Sequence, residues 1–267
     1  MELEGKHAIV TGGAGGIGKA LAYKFIEEGA SGVVVADLEQ ANPQAVADEL
    51  GDRALAFTGD ISDEATVKAL IAAGEDAFGP VDLFCANAGV AIGAMLEPDE
   101  AVWDTAFGVN IRSHIYAAKA LVPGWLERGS GYFLTTASAA GLVTQIGSAP
   151  YAVTKHAAVA FAEWLSVTYG DHGIGVSCLC PMGVNTNMLN AGAGDDGVTA
   201  GDVVRAAGMV VEPEQVADDV VAALREERFL VLPHPEVLTF FQRKGSDYDR
   251  WIAGMRRLQA AVTGAAG

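Results

Sequence analysis

What this chain of 267 residues has little of narrows its chemistry before any motif is read. It carries 17 lysines and arginines against 34 aspartates and glutamates, a formal net charge of −17. Nucleic acid and anionic membrane surfaces are held by clustered cations, so neither is expected as a partner. Cysteine is scarce: only Cys85, Cys178 and Cys180. That number gives no even disulfide framework. Cys178 and Cys180, expected on opposite faces of a strand, have no second Cys or His pair beside them, so no metal is expected. Buried thiols in a cytoplasmic protein are the expectation. No run approaches the ~18 consecutive apolar residues of a membrane span. The first residues also lack the apolar stretch of a signal peptide.

What is present is a chain that is 51% hydrophobic and holds 33 glycines. The segment HAIVTGGAGGIGKALAYKFIEEGA reads as strand, glycine loop and helix, with Ile17, Leu21, Phe25 and Ile26 on one helical face. Further apolar runs over 32–39, 53–60, 81–89, 131–138, 173–181 and 228–233 read as strands, with helical periodicity between them. One long helical region is expected over about Val102–Leu126. Strands that are apolar throughout are covered on both faces. The alternation predicts an α/β fold, a Rossmann-like doubly wound parallel sheet of about seven strands with helices on both faces. The whole of 1–267 reads as one domain. A stretch rich in Gly, Ala and Asp over about 187–212 is expected as a substrate lid or else a disordered loop. The tail over about 236–262 is expected as an amphipathic docking or subunit-contact helix.

The glycine loop TGGAGGIG (11–18) lies between strand and helix. Free N–H groups and the positive helix end make such a junction a phosphate site, and glycines let a pyrophosphate approach the backbone. Asp37 ends the second strand, nineteen residues beyond Gly18. That is the place of the acid that hydrogen-bonds a ribose hydroxyl. Its carboxylate would repel a 2′-phosphate, and no Lys or Arg lies within several residues of it. NAD(H) is therefore expected over NADP(H).

Tyr151 and Lys155 stand four apart in APYAVTKHAA, on one face of a helix. A nearby ammonium favours a phenolate. Bringing a phenol down two to three units needs roughly 3–4 kcal/mol, which the lysine, a cationic cofactor ring and the helix N-terminus could supply together. Ser138 closes the fifth strand, thirteen residues before Tyr151. His156 is turned about 100° from Lys155 around the helix, His114 is read as structural or lid-facing, and Asp99, Glu100 and Asp104 as a solvated helix start.

Taken in order, these motifs resemble the short-chain dehydrogenase/reductase family along nearly the whole chain. The matching residues are Thr11-Gly12 through Gly16-Ile17-Gly18, Asp60-Ile61, Asn87-Ala88-Gly89, Asn110, Ser138, Tyr151-x-x-x-Lys155 and Pro181-Met-Gly-Val-Asn-Thr186. Met182 departs from the family pattern, which has glycine there. The resemblance implies cofactor contacts from Gly12, Gly15, Gly16, Ile17, Gly18, Asp37, Asp60, Ile61, Asn87, Ala88, Gly89, Tyr151, Lys155, Pro181, Gly183, Val184 and Thr186. It implies that Asn110, Ser138, Tyr151 and Lys155 are catalytic, with Tyr151 as general acid/base and Asn110 supporting a water that links Lys155 to solvent. The implied reaction interconverts a secondary alcohol and a ketone by hydride transfer to or from NAD(H). A homotetramer or homodimer is implied through the helices at Val102–Leu126 and Ala152–Tyr169. The other readings are an NADP(H)-dependent carbonyl reductase and a non-catalytic nucleotide-binding regulatory protein on the same fold. A substrate pocket is expected at Ala139, Ala140, Val143, Gln145 and Met188, with Val90, Ala91 and Ile92 beside it. Its apolar lining points to an apolar cyclic or aliphatic alcohol or ketone.

Overall fold

The computed structural model of the chain describes residues 1–190 and 208–262. Of the lid expected at about 187–212, residues 191–207 lie outside the described residues. Seven strands form one parallel sheet: β1 (His7–Thr11), β2 (Gly32–Asp37), β3 (Ala54–Thr58), β4 (Leu83–Ala86), β5 (Gly131–Thr136), β6 (Ile174–Leu179) and β9 (Leu230–Val231). Their order is β3-β2-β1-β4-β5-β6-β9, the doubly wound arrangement expected. Two short strands, β7 (Gly183–Val184) and β8 (Val210–Val211), pair separately, and a one-turn helix α8 (Asn187–Asn190) follows β7. β1, β4 and β6 are almost wholly buried, as their continuous apolar sequences require.

Chain direction across the sheet reverses between β1 and β4, each parallel to the other but wound to opposite sides. The crevice at the carboxyl ends of the strands at that switch is where ligands bind on such sheets. One face of the sheet packs against α1 (Gly16–Glu27) and α9 (Pro213–Glu226) through Leu21, Phe25, Val220 and Leu224. The other packs against α3 (Glu64–Phe78), α5 (Ser113–Arg128) and α7 (Ala149–Tyr169) through Leu70, Trp125, Phe133 and Leu165. The capping residues are legible locally: Asn42 caps α2 (Pro43–Leu50) with proline in its first turn, and Asp63 caps α3. Asp99 caps α4 (Glu100–Phe107), in keeping with the acidic helix start read there.

Three expectations are corrected. The helical region over Val102–Leu126 is not one α-helix: α4 and α5 are joined by a π turn over Gly108–Arg112. The C-terminal helix over about 236–262 is two helices, α10 (Glu236–Ser246) and α11 (Tyr248–Val262), broken where Asp247 turns extended (φ −155°, ψ 92°) directly after Gly245-Ser246. Cys178 in β6 and Cys180 just beyond its end lie on one face, their sulfurs 3.7 Å apart, because residues two apart in an extended chain point the same way. All three cysteines are free and buried.

Candidate active site

The glycine loop closes over the carboxyl end of β1. Gly15 caps α1 with no side-chain hydrogen bond, and the first turn of α1 carries no acid. Its leading N–H groups and positive helix end are therefore left for an anion. Backbone approach is tight where the motif predicts it. A methyl on Gly12 would lie 2.9 Å from Ala88 Cα, and one on Gly16 would lie 2.9 Å from Thr186 Cγ2. Gly15, by contrast, faces open space. Asp37 sits at the rim: its carboxylate accepts from the backbone N–H groups of Ala14 (3.0 Å) and Leu38 (2.8 Å). Loop, helix end and carboxylate together fit a dinucleotide with a free ribose hydroxyl. Asp60 bends the chain after β3 by accepting from Ser62 N–H, and Ile61 is buried beside it.

Asn87 ties this loop to the neighbouring strands. Its amide donates to Thr11 O (3.0 Å) and its carbonyl accepts from the Thr136 hydroxyl (3.1 Å). Thr11 Oγ1 accepts from both Asn87 and Ala88 N–H. Asn87 and Ala88 thus shape the floor of the crevice at the β1–β4 switch.

Ser138 follows β5, held by flanking ladders. Ala137 N–H donates to Leu179 O and Ala139 N–H to Pro181 O, both at 2.8 Å. Its hydroxyl accepts from Ala140 N–H (3.1 Å), the start of the one-turn helix α6 (Ala140–Val143). Tyr151 stands in the first turn of α7, which Ser148 caps and which has Pro150 at its start. Ser148 Oγ accepts from Tyr151 N–H (3.3 Å) and donates to Ile92 O (3.1 Å). One serine therefore fixes the Tyr151 backbone and the loop after β4 together.

Lys155 is 2% exposed, and its ammonium donates to Thr136 O (3.0 Å) while lying 5.7 Å from the centre of the Tyr151 ring. Burial pushes Lys155 down to about 8. Burial also pushes the Tyr151 phenol up, and only the Ser138 hydroxyl opposes that. The expected lowering of Tyr151 by Lys155 is thus not met in the protein alone: the ammonium addresses a carbonyl and the ring face, and desolvation outweighs it. Asn110 lies in the π turn and is fully buried. Its side chain accepts from Val90 N–H (2.8 Å) and donates to Val90 O and Thr154 Oγ1, both at 3.0 Å. It ties the β4 loop to α7 one residue before Lys155. A methyl on Gly89 would lie 3.2 Å from Lys155 Nζ and 3.3 Å from Asn110 Oδ1, so Gly89 occupies the gap between them. His114, four residues on, is fully buried and held neutral, down to about 3, by burial and by the Lys155 charge.

The turn from Pro181 to Thr186 rises beside the loop, its Thr186 methyl over Gly16. Met182 is not loose there. Its N–H donates to His234 Nδ1 (3.2 Å), which leaves the proton on Nε2 to donate to Gly183 O (3.0 Å) and Met209 O (3.2 Å). His234 is 2% exposed. It pins this turn to the chain entering β8, a role the sequence reading missed because its partners lie 52 and 25 residues away. Of the expected pocket residues, Ala139 and Ala140 are buried at Ser138, Val143 and Gln145 are half-buried at the end of α6, and Met188 is exposed. Among the described residues no group of three or more His, Cys, Asp or Glu could hold a metal, and no helix is long and apolar enough to cross a membrane.

A serine, a tyrosine and a lysine gathered beside a dinucleotide-shaped glycine loop define an oxidoreductase on a doubly wound sheet. The short chain dehydrogenase family model matches residues 6–196, and the chain belongs to that family. It is 38% identical over 229 residues to 1-deoxy-11-beta-hydroxypentalenate dehydrogenase of Streptomyces exfoliatus, covering 79% of this chain and 80% of that one. It is 33% identical over 192 residues to 3beta-hydroxysteroid dehydrogenase 2 of Eggerthella lenta, covering 70% and 74%. A crystal structure of a short chain dehydrogenase/reductase from Burkholderia phymatum in complex with NAD superposes with a TM-score of 0.84 at 30% identity, over 93% of this chain and 96% of that chain.

Proposed function

We propose that this protein interconverts an apolar, alicyclic secondary alcohol and its ketone with NAD(H). The observation that carries the reading is the convergence of Ser138, Tyr151 and Lys155 at the carboxyl end of β5, beside the glycine loop. When bound, the nicotinamide ring supplies or accepts the hydride. The chain supplies the proton and the placement. Ser138 Oγ, fixed by Ala140 N–H, donates to the substrate oxygen and steadies charge developing there. Tyr151 exchanges the proton at that oxygen. Its phenol is kept protonated by burial, which suits proton donation in ketone reduction. Lys155 titrates at about 8, so its charge is available near neutral pH to favour the phenolate in the reverse direction. Asn110 acts as a positioning residue through Val90 and Thr154. Two relatives act, by name, on a hydroxypentalenate and a 3β-hydroxysteroid, which agrees with an apolar pocket wall at Ala139, Ala140 and Val143. An NADH-coupled screen of secondary alcohols from cyclohexanol to borneol and a 3β-hydroxysteroid tests the reading; inactivity across the series would overturn it.

The cofactor preference rests on Asp37, and the Burkholderia relative holds NAD. Asp37→Ala is expected to raise the efficiency with NADP relative to NAD by about tenfold or more, as removal of one like-charge repulsion allows. An unchanged ratio would remove Asp37 from the argument.

A homo-oligomer is read from α7, where Val153, Ala160, Trp164 and Val167 form one exposed stripe, with Val167 87% exposed. Light scattering should give a multiple of the single-chain mass, and Trp164→Glu should lower it. A monomeric wild type would refute this reading. Three free, buried thiols suit a reducing cytoplasm.

A further inference from the structure

Lys244 lies in the last turn of α10 yet is only 7% exposed. Its ammonium reaches back 102 residues to donate to Leu142 O at 2.8 Å. It also lies 3.4 Å from His156 Nε2 and 5.4 Å from the centre of the Tyr248 ring. The proton positions follow from the partners. His156 Nδ1 is 2.8 Å from Ala152 O, and a carbonyl can only accept, so Nδ1 carries the ring proton. Nε2 is then a lone pair that accepts from the ammonium. The Leu142 carbonyl lies at the C-terminal end of α6, where a cation is favoured.

The point it grips is the end of α6. That helix has a single turn, so its last carbonyls have no helical donor. It is also pressed hard onto α7: a methyl on Gly141 would lie 2.5 Å from Lys155 O and 2.8 Å from Val159 Cγ2. Directly after it Thr144, a β-branched residue, is held at φ +75°. Such a conformation persists only where the surroundings over-determine it. At its other end α6 is fastened to Ser138 Oγ through Ala140 N–H.

We propose that Lys244 is a positioning residue that sets substrate specificity, clamping α6 and so fixing the pocket wall formed by Ala139, Ala140 and Val143. The C-terminal helices are thereby part of the substrate site, although they stand far from Ser138 and Tyr151 in sequence. The inference rests on the reading of α6 as that wall.

The test compares wild type, Lys244→Met and Lys244→Arg in the full chain. Hydrogen exchange with NADH bound reads α6 directly, and kcat/KM for cyclohexanol against borneol reads the wall. Lys244→Met should lose exchange protection over residues 138–146, keep it over the glycine loop, and leave NADH affinity within about twofold. The ratio of kcat/KM between the two alcohols should shift about tenfold through KM. Lys244→Arg, which keeps donors for Leu142 O and His156 Nε2, should recover most of both. Unchanged protection in Lys244→Met overturns the clamp and leaves the pocket reading standing. Lost protection with an unchanged alcohol ratio overturns the proposal together with the assignment of α6 as the wall. A uniform loss of protection, or an arginine variant no better than methionine, would reduce Lys244 to a residue of general stability and overturn the proposal as well.

Discussion

Tyr151→Phe is expected to lower kcat roughly 100- to 10,000-fold, the range that a positioned general acid/base contributes. NADH affinity should stay within about twofold, because the ring and its packing remain. The reasoning is local. The substitution removes one oxygen, the one proposed to exchange the proton at the substrate oxygen. The backbone of residue 151 stays fixed by Ser148 Oγ, and Lys155 still donates to Thr136 O. A thermal melt should therefore move little while turnover collapses. Stopped-flow hydride transfer separates the chemical step from product release. Equal activity in wild type and variant would sink the role given to Tyr151.

Gly18→Ala is expected to damage cofactor binding and folding together. Gly18 is buried in α1, where alanine would normally help a helix. Here its added methyl would collide with the Gly12 carbonyl oxygen and lie 2.6 Å from Asn87 Nδ2 and 2.7 Å from Gly12 C. Most of these atoms are backbone, so the glycine loop itself must shift. Overpacking of this kind costs about 1–3 kcal/mol, or several degrees of Tm in a chain of this size. The displaced loop also carries the N–H groups that await the pyrophosphate, so NADH affinity should fall by about tenfold or more. Gly15→Ala is the control. It has extended backbone (φ −153°) and nothing within 4 Å of the added methyl, so its Tm should match wild type. Equal melting of Gly18→Ala and wild type would show that the loop adapts freely.

Much of this site is legible in the sequence, for physical reasons that also mark where legibility ends. β1, β2, β4, β5 and β6 read as strands because burial on both faces forces unbroken apolar runs. The glycine loop reads because Gly12, Gly13, Gly16 and Gly18 each answer a close contact with a named atom, while Gly15 faces open space. Tyr151 and Lys155 read as a pair because helical geometry makes four-apart residues neighbours. The state of that pair does not read, since desolvation depends on what surrounds it. Burial raises Tyr151 and lowers Lys155 against the simple charge argument. His234 and Lys244 do not read either. Each acts through backbone groups distant along the chain, and a carbonyl leaves no signature in a string of side chains. The shared face of Cys178 and Cys180 is legible in the sequence, since the two-residue period of a strand dictates it.

The π turn at Gly108–Arg112 has a consequence for how this chain can vary. Such a turn is an α-helix with one residue too many, and one residue is about 100° of rotation. The halves of the rod on either side are therefore out of phase: α4 leans on α7 while α5 faces the sheet and α3. Removing a single residue there would restore a regular helix and turn one half away from its neighbours, carrying Asn110 off Val90 and Thr154. Along most helices a substitution is the event that matters. Along this one the count of residues is the constrained quantity, a frame that any insertion or deletion between Glu100 and Arg128 would break.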